Sequence, residues 1–372
     1  MNSRLPPFAS EILAVFAERE APTTEVAVLQ PADPFLDMAG EDLRRRIFLT
    51  ESETGQTLCL RPEFTIPVCL DHIASQAGTP RRYAYLGNVF RQRRDGEAEF
   101  LQAGIEDLGE NDIAKADARS VADAHALLTR TLPGVPLQVT LGDQRIFEAV
   151  LAALGLPRGW QKRLARAFGS ASQLASALED LANPSHAATS DQRAAELIAA
   201  DDQAGLVDYV AAQMNEAGLP ATAGRTAQEI AQRLTEKQQL RSVRLSEDTL
   251  TALKTFLAID APLEGASEAL ESFAKQSGIS LGSAMELFCA RAKAIAEHDL
   301  PEGGVIYDAA FGRPLDYYTG LVFEISSGDG RPLIGGGRYD RLLTMLGAEE
   351  PIPGVGFSLW LDRIAALRGD AA

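Results

Sequence analysis

The feature that most constrains the fold of this 372-residue chain is a change of pattern in its middle. Between about residues 145 and 300 the sequence is rich in Ala, Leu, Gln and Glu, and its apolar residues recur at helical spacing. The segments on either side carry alternating apolar runs, glycines and turn residues, which are typical of β-strands. The pattern predicts an α+β protein in which a helical insertion, 145–300, separates two strand-rich parts of one core, 1–144 and 301–372.

The strand-rich parts divide further by periodicity. Two long alternating runs are joined by a short charged stretch, which indicates a β-hairpin. Strand and glycine signals return after Pro301. We predict helices at 8–16 and 113–132, a short strand at 25–31 that Pro31 stops, hairpin strands at 82–90 and 100–109, and a strand at 136–143.

Composition narrows the class of protein. The chain has 35 basic and 52 acidic residues, and the net charge of −17 argues against a nucleic-acid partner. No apolar run of about eighteen residues is present, and the amino terminus carries acidic residues and two prolines instead of a signal peptide. Cys59, Cys69 and Cys289 lack the spacing of a disulfide framework or a metal site. We therefore expect a cytoplasmic protein that binds no metal and does not cross a membrane.

The segment LRPEFT, at 60–65, is the first candidate for ligand binding. On a strand or turn, alternation would put Glu63 and Thr65 on one face, where a carboxylate beside a hydroxyl suits an ammonium group. The alternative is a surface ion pair between Arg61 and Glu63, which would be worth little. The segment taken alone favours the surface pair.

The predicted hairpin is the second candidate. Its turn carries Arg91, Arg93 and Arg94, whose guanidinium groups could clamp a phosphate or a carboxylate with paired hydrogen bonds. Gln102 and Glu106 share one face of the returning strand by parity. A solvated charged turn is the better interpretation unless these two side chains face a common pocket, where buried polar groups need partners.

The segment RPLDYYTGLVFE, at 313–324, is the third candidate. It places Arg313, Asp316, Tyr317, Tyr318 and Glu324 beside an apolar strand, and tyrosine combines ring packing with a hydroxyl. A half-buried strand with tyrosines at its solvent-exposed end fits the segment about as well. The glycine run GGGRYD that follows lacks the spacing of nucleotide-binding loops, so it predicts no nucleotide fingerprint.

Taken in order, five segments resemble the successive motifs of the histidyl-tRNA synthetase catalytic core. They are LRPEFT, RYAYLGNVFR with EFLQAGIEDLG, RPLDYY, GGRYD and GFSLWLDRI, and the resemblance spans nearly the whole chain. EVAVLQP resembles the dimer motif of class II aminoacyl-tRNA synthetases, and the helical segment resembles the insertion between motifs two and three. The resemblance implies an antiparallel sheet flanked by helices, and a dimer.

The resemblance also implies a histidine pocket. Residues at matching positions would hold the ammonium group, lie near the carboxylate or meet the imidazole. In that order they are Glu63 and Thr65, then Arg91 and Gln102, then Glu106, Tyr317 and Tyr318. Arg313 matches the arginine of the family's RGLDYY signature and is counted with the histidine-binding residues, although Pro314 replaces the glycine.

Departures from the synthetase pattern concern ATP and tRNA. Arg363 matches the motif three arginine that contacts ATP, but Trp360 and Asp362 stand where the family has glycine and glutamate. A tryptophan carries roughly 150 to 250 Å² of surface, so Trp360 would fill much of the adenine space unless it is a core residue turned away. Arg93 stands where the synthetase has glutamate, and only IAALRGDAA follows Arg363. We expect impaired ATP binding and no anticodon-binding domain.

A synthetase core without an anticodon-binding domain resembles the regulatory-subunit family of ATP phosphoribosyltransferase. That resemblance implies a non-catalytic chain, with no catalytic residues and no cofactor, that pairs with a short-form catalytic subunit at the first step of histidine biosynthesis. Histidine would be the effector, and the chain would form a homodimer within a hetero-oligomer. Two alternatives stay open: an adenylate-forming ligase that activates histidine for an acceptor other than tRNA, and a tRNA ligase whose anticodon domain lies on another chain, which the net charge disfavours.

Overall fold

The computed structural model describes most of the chain. The described residues are 5–38, 41–94, 96–182, 191–217, 226–242, 245–301, 303–313, 317–328 and 330–369. None of the helices in these ranges combines the length and the apolar character needed to cross a bilayer.

Strands in the described chain form two sheets. They are β1 (Leu29–Pro31), β2 (Leu49–Glu51), β3 (Thr57–Leu60), β4 (Arg81–Phe90), β5 (Glu99–Leu108), β6 (Leu137–Asp143), β7 (Asp260–Pro262), β8 (Val305–Asp308), β9 (Leu321–Ser327), β10 (Pro332–Arg338) and β11 (Gly354–Trp360). The small sheet has the order β1-β3-β2, and the large sheet has the order β4-β5-β11-β10-β9-β6-β8-β7. All neighbours in the large sheet are antiparallel except β6 and β8, which are parallel.

Helices flank the sheets. They are α1 (Ala9–Glu18), α2 (Asp33–Met38), α3 (Glu41–Arg44), α4 (Thr65–Ala74), α5 (Ile113–Thr131), α6 (Gln144–Ala153), α7 (Arg158–Ala167), α8 (Ala171–Ala182), α9 (Gln192–Ala199), α10 (Gln203–Glu216), α11 (Ala227–Ser242), α12 (Glu247–Leu257), α13 (Leu263–Gln276), α14 (Gly282–Ala296), α15 (Leu342–Met345) and α16 (Leu361–Arg368). The predicted α+β class, an antiparallel sheet flanked by helices, is confirmed.

Helix α5 packs on one face of the large sheet. Its apolar stripe, which includes Val121 and Ala124, enters the main core because these residues recur at helical spacing. Asp117 of α5 accepts hydrogen bonds from Arg291 Nε of α14 at 2.6 Å and from Arg338 Nε of β10 at 2.7 Å. A buried charge network therefore ties the end of the helical segment to both flanking parts of the chain.

The middle segment is helical as predicted, except that β7 joins the edge of the large sheet beside β8. Residues of α6 to α8 and of α12 to α14 belong to the main core. Helices α9 to α11 instead pack around an apolar cluster of their own, formed by Ala194, Leu197, Leu206, Val210 and Ala231. The division into 1–144, 145–300 and 301–372 stays a prediction.

The local predictions compare well with the described elements. The predicted helices at 8–16 and 113–132 and the predicted hairpin are confirmed as α1, α5 and the β4–β5 pair. The strand at 25–31 was predicted too long, because only Leu29–Pro31 forms β1 and Pro31 is part of it. Proline is tolerated there because β1 pairs with β3 alone and is an edge strand.

Candidate functional site

A cavity of about 300 Å³ lies on one face of the large sheet. By strand alternation this is the face opposite to Ile105 and Leu359, whose side chains join the main core. The lining residues are Leu43, Arg46, Glu63, Thr65, Arg91, Gln102, Arg313, Tyr317, Tyr318, Glu324, Pro332, Gly335, Tyr339, Gly356, Phe357, Ser358, Trp360 and Arg363. The motifs before and after the helical segment therefore meet at one site.

The cavity brings together most of the residues that the histidyl-tRNA synthetase resemblance selected. Those that line it are Glu63, Thr65, Arg91, Gln102, Arg313, Tyr317 and Tyr318. Glu106 is 1% exposed and lies directly behind the lining, in contact with Thr65. Their role in binding histidine stays a prediction, but their proximity is a property of the fold.

Glycines on two central strands leave room for charged side chains above the sheet. A Cβ atom on Gly335 of β10 would lie 2.2 Å from Arg313 Nη1, and one on Gly356 of β11 would lie 1.8 Å from Glu106 Oε2. Any larger residue would displace these groups. The glycine run therefore shapes the cavity floor, although it has none of the spacing of a phosphate-binding loop.

Glu63 occupies the turn before α4. Its two carboxylate oxygens accept hydrogen bonds from the backbone N–H groups of Thr65, at 2.7 Å, and Ile66, at 2.9 Å. Glu63 therefore caps the helix that Thr65 begins, and the expected strand alternation of these two residues is wrong. Burial raises the pKa of the Glu63 carboxyl, and the two N–H groups counteract that rise.

The alternative prediction, a surface ion pair between Arg61 and Glu63, is also wrong. Arg61 is buried, and its Nε donates a hydrogen bond to the carbonyl oxygen of Asn88 at 2.7 Å while Nη1 donates to the carbonyl of Val26. Its guanidinium lies 4.3 Å from the centre of the Phe64 ring. Arg61 thus fixes the backbone on either side of Glu63 and does not form a pair on the surface.

Glu106 supports two hydroxyl groups of the cavity wall. Thr65 Oγ1 donates to Glu106 Oε1 at 2.7 Å, and the Tyr339 hydroxyl donates to Oε2. Burial raises the pKa of Glu106 to about 8, the nearby Glu63 adds to the rise, and the hydroxyl donors oppose it. The protonated carboxyl is therefore a major species at neutral pH, in a layer behind the cavity surface.

Gln102 carries a polar atom that the protein leaves without a partner. The side chain is 1% exposed, and no described residue donates a hydrogen bond to its Oε1. Gln102 of β5 is the cross-strand partner of Trp360 of β11, and both side chains line the cavity. Because an unsatisfied buried carbonyl oxygen costs about 1 to 3 kcal/mol, a ligand N–H at this point would relieve the penalty.

Four arginines give the cavity a positive lining. They are Arg46, Arg91, Arg313 and Arg363. Arg91 Nε donates to the carbonyl oxygen of Pro62 at 2.6 Å, and burial lowers the pKa of its guanidinium to about 10 although Glu63 favours the charge. Arg313 pairs with Glu324. The lining carboxylates, Glu63 and Glu324, only partly balance this charge, so the cavity suits a ligand with an anionic group.

Three tyrosines form one wall. The Tyr317 and Tyr318 rings lie 5.0 Å apart at 59°, and the Tyr317 and Tyr339 rings lie 6.0 Å apart at 82°. Burial raises the pKa of all three hydroxyls, so they remain neutral hydrogen-bonding groups. Pro314, which stands in place of the family's glycine, and Asp316 lie outside the described residues.

Trp360 lines the cavity, so the alternative of a core residue turned away is wrong. The Arg363 guanidinium lies 4.5 Å from the centre of its ring, and that of Arg313 lies 5.9 Å away. Arg363 also donates to the carbonyl of Pro332. The indole and two guanidinium groups therefore occupy one end of the cavity.

The hairpin arginines do not act as one clamp. Arg91 lines the cavity, whereas Arg93 pairs with Asp362 at 3.0 Å and lies over the Phe100 ring at 3.4 Å, and Arg94 is exposed. Arg93 and Asp362 are both departures from the synthetase pattern, and they contact each other. The two residues therefore form a partly exposed ion pair.

Some of the lining residues were not predicted from the sequence. Arg46 follows a short helix, and Ser358 and Tyr339 lie in or beside the last strands. The Tyr85 hydroxyl, 2.7 Å from Ser358 Oγ, extends the same polar layer. Ser358 lies two residues before Trp360 on β11 and therefore faces the same side of the sheet as Trp360 and Gln102. That relation to Gln102 can be recognised only when the β5–β11 register is known.

Comparison with known proteins places the chain in a family. The family model for histidyl-tRNA synthetase matches residues 23–239 and 203–364. The ATP phosphoribosyltransferase regulatory subunit of Mesorhizobium japonicum is 68% identical over 369 residues, which cover 99% of both chains. The protein of the same name from a Chelativorans species is 63% identical and covers 100% of both chains.

Solved structures agree on the fold. A Bacillus halodurans structure described as an ATP phosphoribosyltransferase regulatory subunit/histidyl-tRNA synthetase has a TM-score of 0.66 at 21% identity, covering 99% of this chain and 81% of that one. Histidyl-tRNA synthetase from a Nostoc species has a TM-score of 0.65 at 15% identity, covering 100% and 76%. The fold, the matched family model and the full-length relatives agree, and the chain belongs to the histidyl-tRNA synthetase family and, within it, to the ATP phosphoribosyltransferase regulatory subunits.

Proposed function

We propose that the chain is a non-catalytic regulatory subunit of ATP phosphoribosyltransferase, which acts in the first step of histidine biosynthesis and in its feedback control by histidine. The observation that carries this role is the 68% identity to a regulatory subunit over 99% of both chains. The adenylate-forming ligase is not favoured, because the full-length relatives carry the regulatory name.

Histidine is the effector that the cavity fits. Its volume of about 300 Å³ is at the small end of ligand sites. The proposed pose places the carboxylate of histidine at Arg91 and Gln102 and its ammonium group at Glu63 and Thr65. In this pose the Gln102 amide Nε2 donates to the carboxylate, and the unpartnered Oε1 accepts from the neighbouring ammonium group, which supplies the N–H donor that this atom lacks.

Glu106 takes an indirect part in this pose. In its ionised form Glu106 accepts the hydroxyl hydrogens of both Thr65 and Tyr339, which orients the lone pairs of these hydroxyls toward other donors. Those lone pairs can accept from the ammonium group and the imidazole N–H of histidine, while Tyr317 and Tyr318 enclose the ring. Glu106 thus positions acceptors, and Arg313 completes the wall through its pair with Glu324.

The surroundings of Trp360 argue against adenylate chemistry. Trp360 and Arg363 are packed together there, at 4.5 Å, and Arg313 is neutralised by Glu324. The α-phosphate of ATP would have to compete with the Glu324 carboxylate for Arg313 before an adenylyl group could be transferred. A binding role without catalysis is consistent with both features.

Regulation needs only a modest energy difference between states. Allosteric coupling typically amounts to about 1 to 3 kcal/mol, and a hydrogen bond to a charged group is worth about 1.5 to 3 kcal/mol net. One or two contacts to histidine that differ between active and inhibited arrangements of the complex would suffice.

The proposed assembly is a homodimer within a cytoplasmic hetero-oligomer that contains a short-form catalytic subunit. The large apolar side chains Val28, Leu29 and Leu49, on or beside the small sheet, are 43%, 47% and 54% exposed and are available for self-association. The register pairs Leu29 with Leu60 and Leu49 with Cys59, so Leu29 and Leu49 lie on opposite faces of that sheet.

Two measurements test the proposed function. Titration calorimetry of the purified chain should detect histidine binding without added nucleotide. Addition of the chain to a short-form catalytic subunit should raise phosphoribosyl transfer to ATP, and histidine should then lower it.

Histidine-dependent exchange of pyrophosphate into ATP by the chain alone is the decisive control. That reaction requires formation of histidyl-adenylate, so its occurrence would replace the regulatory role by the ligase alternative. Activation of the catalytic subunit without histidine binding would support the proposed partner but contradict the proposal that the cavity binds histidine.

A further inference from the structure

A groove on the helical segment is lined mainly by basic and neutral polar residues. It lies between α7 and α8, measures about 780 Å³, and is separate in its residues from the histidine cavity. Its lining is Arg158, Gly159, Lys162, Arg163, Arg166, Ala167, Ser172, Gln173, Ser176 and Ala177. No function proposed above uses this surface.

The charge of the groove contrasts with that of the whole chain. The net charge is −17, yet no Asp or Glu occurs between Glu148 and Glu179. The basic residues in that interval all line the groove. Such a local concentration of positive charge on an acidic protein creates a field that attracts anions.

Helical spacing aligns three of the cations. Arg158, Lys162 and Arg166 follow one another at intervals of four residues on α7, so they share one face of the helix. All three are exposed, and none forms an ion pair with a carboxylate of the described chain. Arg163 differs, because it pairs with Asp180 across the groove.

The wall opposite the cations is suited to phosphate oxygens. Ser172 and Gln173 belong to the first turn of α8, and Ser176 follows one turn later. Their side chains can donate hydrogen bonds, and the positive end of the helix dipole lies at this turn. Cations on one wall and neutral donors on the other match a multiply charged anion.

We propose that the α7–α8 groove is a binding site for a small oligophosphate, the group found in nucleoside triphosphates and in phosphoribosyl diphosphates. The row from Arg158 to Arg166 spans about 12 Å, which suits a chain of two or three phosphates. The lining contains no aromatic side chain that could stack on a base. Trp160 is only 2% exposed and lies beneath the Arg163 guanidinium, so recognition is of the phosphates and not of a base.

The same features disfavour larger partners. Nucleic-acid sites commonly use aromatic stacking platforms and longer cation rows, which the groove lacks. A protein partner would need buried apolar anchors, whereas the apolar lining is limited to Gly159, Ala167 and Ala177. A small anion is the occupant that needs neither.

The test is titration calorimetry of the full chain with sodium tripolyphosphate at low ionic strength. The double variant Arg158→Gln with Arg166→Gln should weaken binding by about tenfold or more, because it removes two charge-assisted contacts. Arg193→Gln, which removes an exposed arginine of α9, is the matched control and should change affinity by less than about twofold. Wild-type binding should weaken as salt is raised.

Three results would overturn the proposal: absence of tripolyphosphate binding, equal binding by the double variant with an unchanged unfolding midpoint, or binding of RNA but not of tripolyphosphate. The single variant Lys162→Met provides a second test should the double variant fold poorly. ATP binding that the groove variants abolish belongs to this site. ATP binding that they leave intact and that histidine strengthens belongs to the cavity and would count against the proposed regulatory function.

Discussion

Two groups of buried charges lie on opposite faces of the large sheet, and they differ in what neutralises them. On the α5 face, Arg291 contacts Asp117 and Asp143, and Arg338 contacts Asp117. Burial alone would lower the pKa of Arg291, but the two aspartates outweigh it and raise the pKa above its ordinary value. Each charge in this network is matched by an opposite charge of the protein.

On the cavity face, main-chain groups hold the charged side chains of Glu63 and Arg91. Glu63 accepts from two backbone N–H groups, and Arg91 donates to the carbonyl of Pro62. Burial lowers the pKa of Arg91 to about 10, and the Gln102 oxygen has no partner in the described chain. The cavity therefore fixes the positions of its charges while leaving them available to a ligand, whereas the α5 network uses its charges to hold the fold.

The largest expected effect is on stability and concerns the α5 network. Asp117→Ala leaves two buried guanidinium groups without their shared carboxylate, so the free energy of unfolding should fall by about 3 to 5 kcal/mol. Chemical denaturation measures the change. Asp340→Ala is the control, because Asp340 also pairs with Arg338 but is 36% exposed, and it should cost less than about 1 kcal/mol. A similar loss in both variants would contradict the distinction between the two faces.

The next effect is on ligand affinity. Gln102→Met keeps the side-chain volume but removes the amide, so histidine affinity should fall by roughly tenfold to a hundredfold, the equivalent of about 1.5 to 3 kcal/mol. Calorimetry measures the loss. The free energy of unfolding should stay the same or rise, because the variant removes a polar atom that the folded chain leaves unpaired. A destabilised variant with unchanged affinity would place Gln102 among the structural residues.

A third effect is the pH dependence of stability, which Glu106 should dominate near neutrality. Its pKa is about 8 in the folded chain, above the value of 4.5 for an ordinary glutamate, so the folded state holds its proton more tightly than the unfolded state. The resulting stability is complete below pH 4.5 and is lost as the pH rises toward 8, with a slope of at most about 1.4 kcal/mol per pH unit.

Glu106→Gln should flatten this slope, because glutamine keeps a polar side chain that cannot ionise. The measurement is a set of denaturation curves between pH 5 and pH 8 for both chains without histidine. Glu63, whose pKa burial also raises, is unchanged in the variant, so a slope that persists would assign the titration to Glu63 or to another buried group and not to Glu106. In the proposed function the same variant weakens inhibition by histidine and leaves activation of the catalytic subunit intact.

Periodicity predicted the elements better than it predicted the site. The hairpin and α5 follow directly from apolar spacing, but the prediction of a strand or turn at LRPEFT is wrong at Thr65, which begins α4. Pro67 in the first turn of α4 was an available signal of a helix start, since proline suits that position. Glu63 would then have been expected to cap the helix.

The periodicity of apolar residues does not predict contacts between segments that are distant in the sequence. The pairing of Gln102 with Trp360 requires the β5–β11 register, and the α5 network joins three elements that no local pattern connects. The resemblance to histidyl-tRNA synthetase selected the cavity residues because it carries such long-range information. It gave no indication of Asp117 or Arg291, whose charges have a structural role.

The smallest expected effect concerns the ion pair between Arg93 and Asp362. Arg93 and Asp362 are 18% and 40% exposed, so water screens their attraction and the pair should contribute less than about 1 kcal/mol. A double-mutant cycle with Arg93→Ala and Asp362→Ala measures the coupling by denaturation, and calorimetry should find histidine affinity unchanged in all three variants.

A coupling well above that value, or a loss of histidine affinity, would make the pair part of the binding machinery. The expected small value has a specific meaning for the comparison between the two faces. Arg93 and Asp362 neutralise each other at a partly exposed site, and their ion pair is separate from the hydrogen bonds that hold Glu63 and Arg91. Substitution of either residue is then compatible with an intact arrangement of Glu63 and Arg91, because main-chain groups, and not Arg93 or Asp362, hold those two side chains.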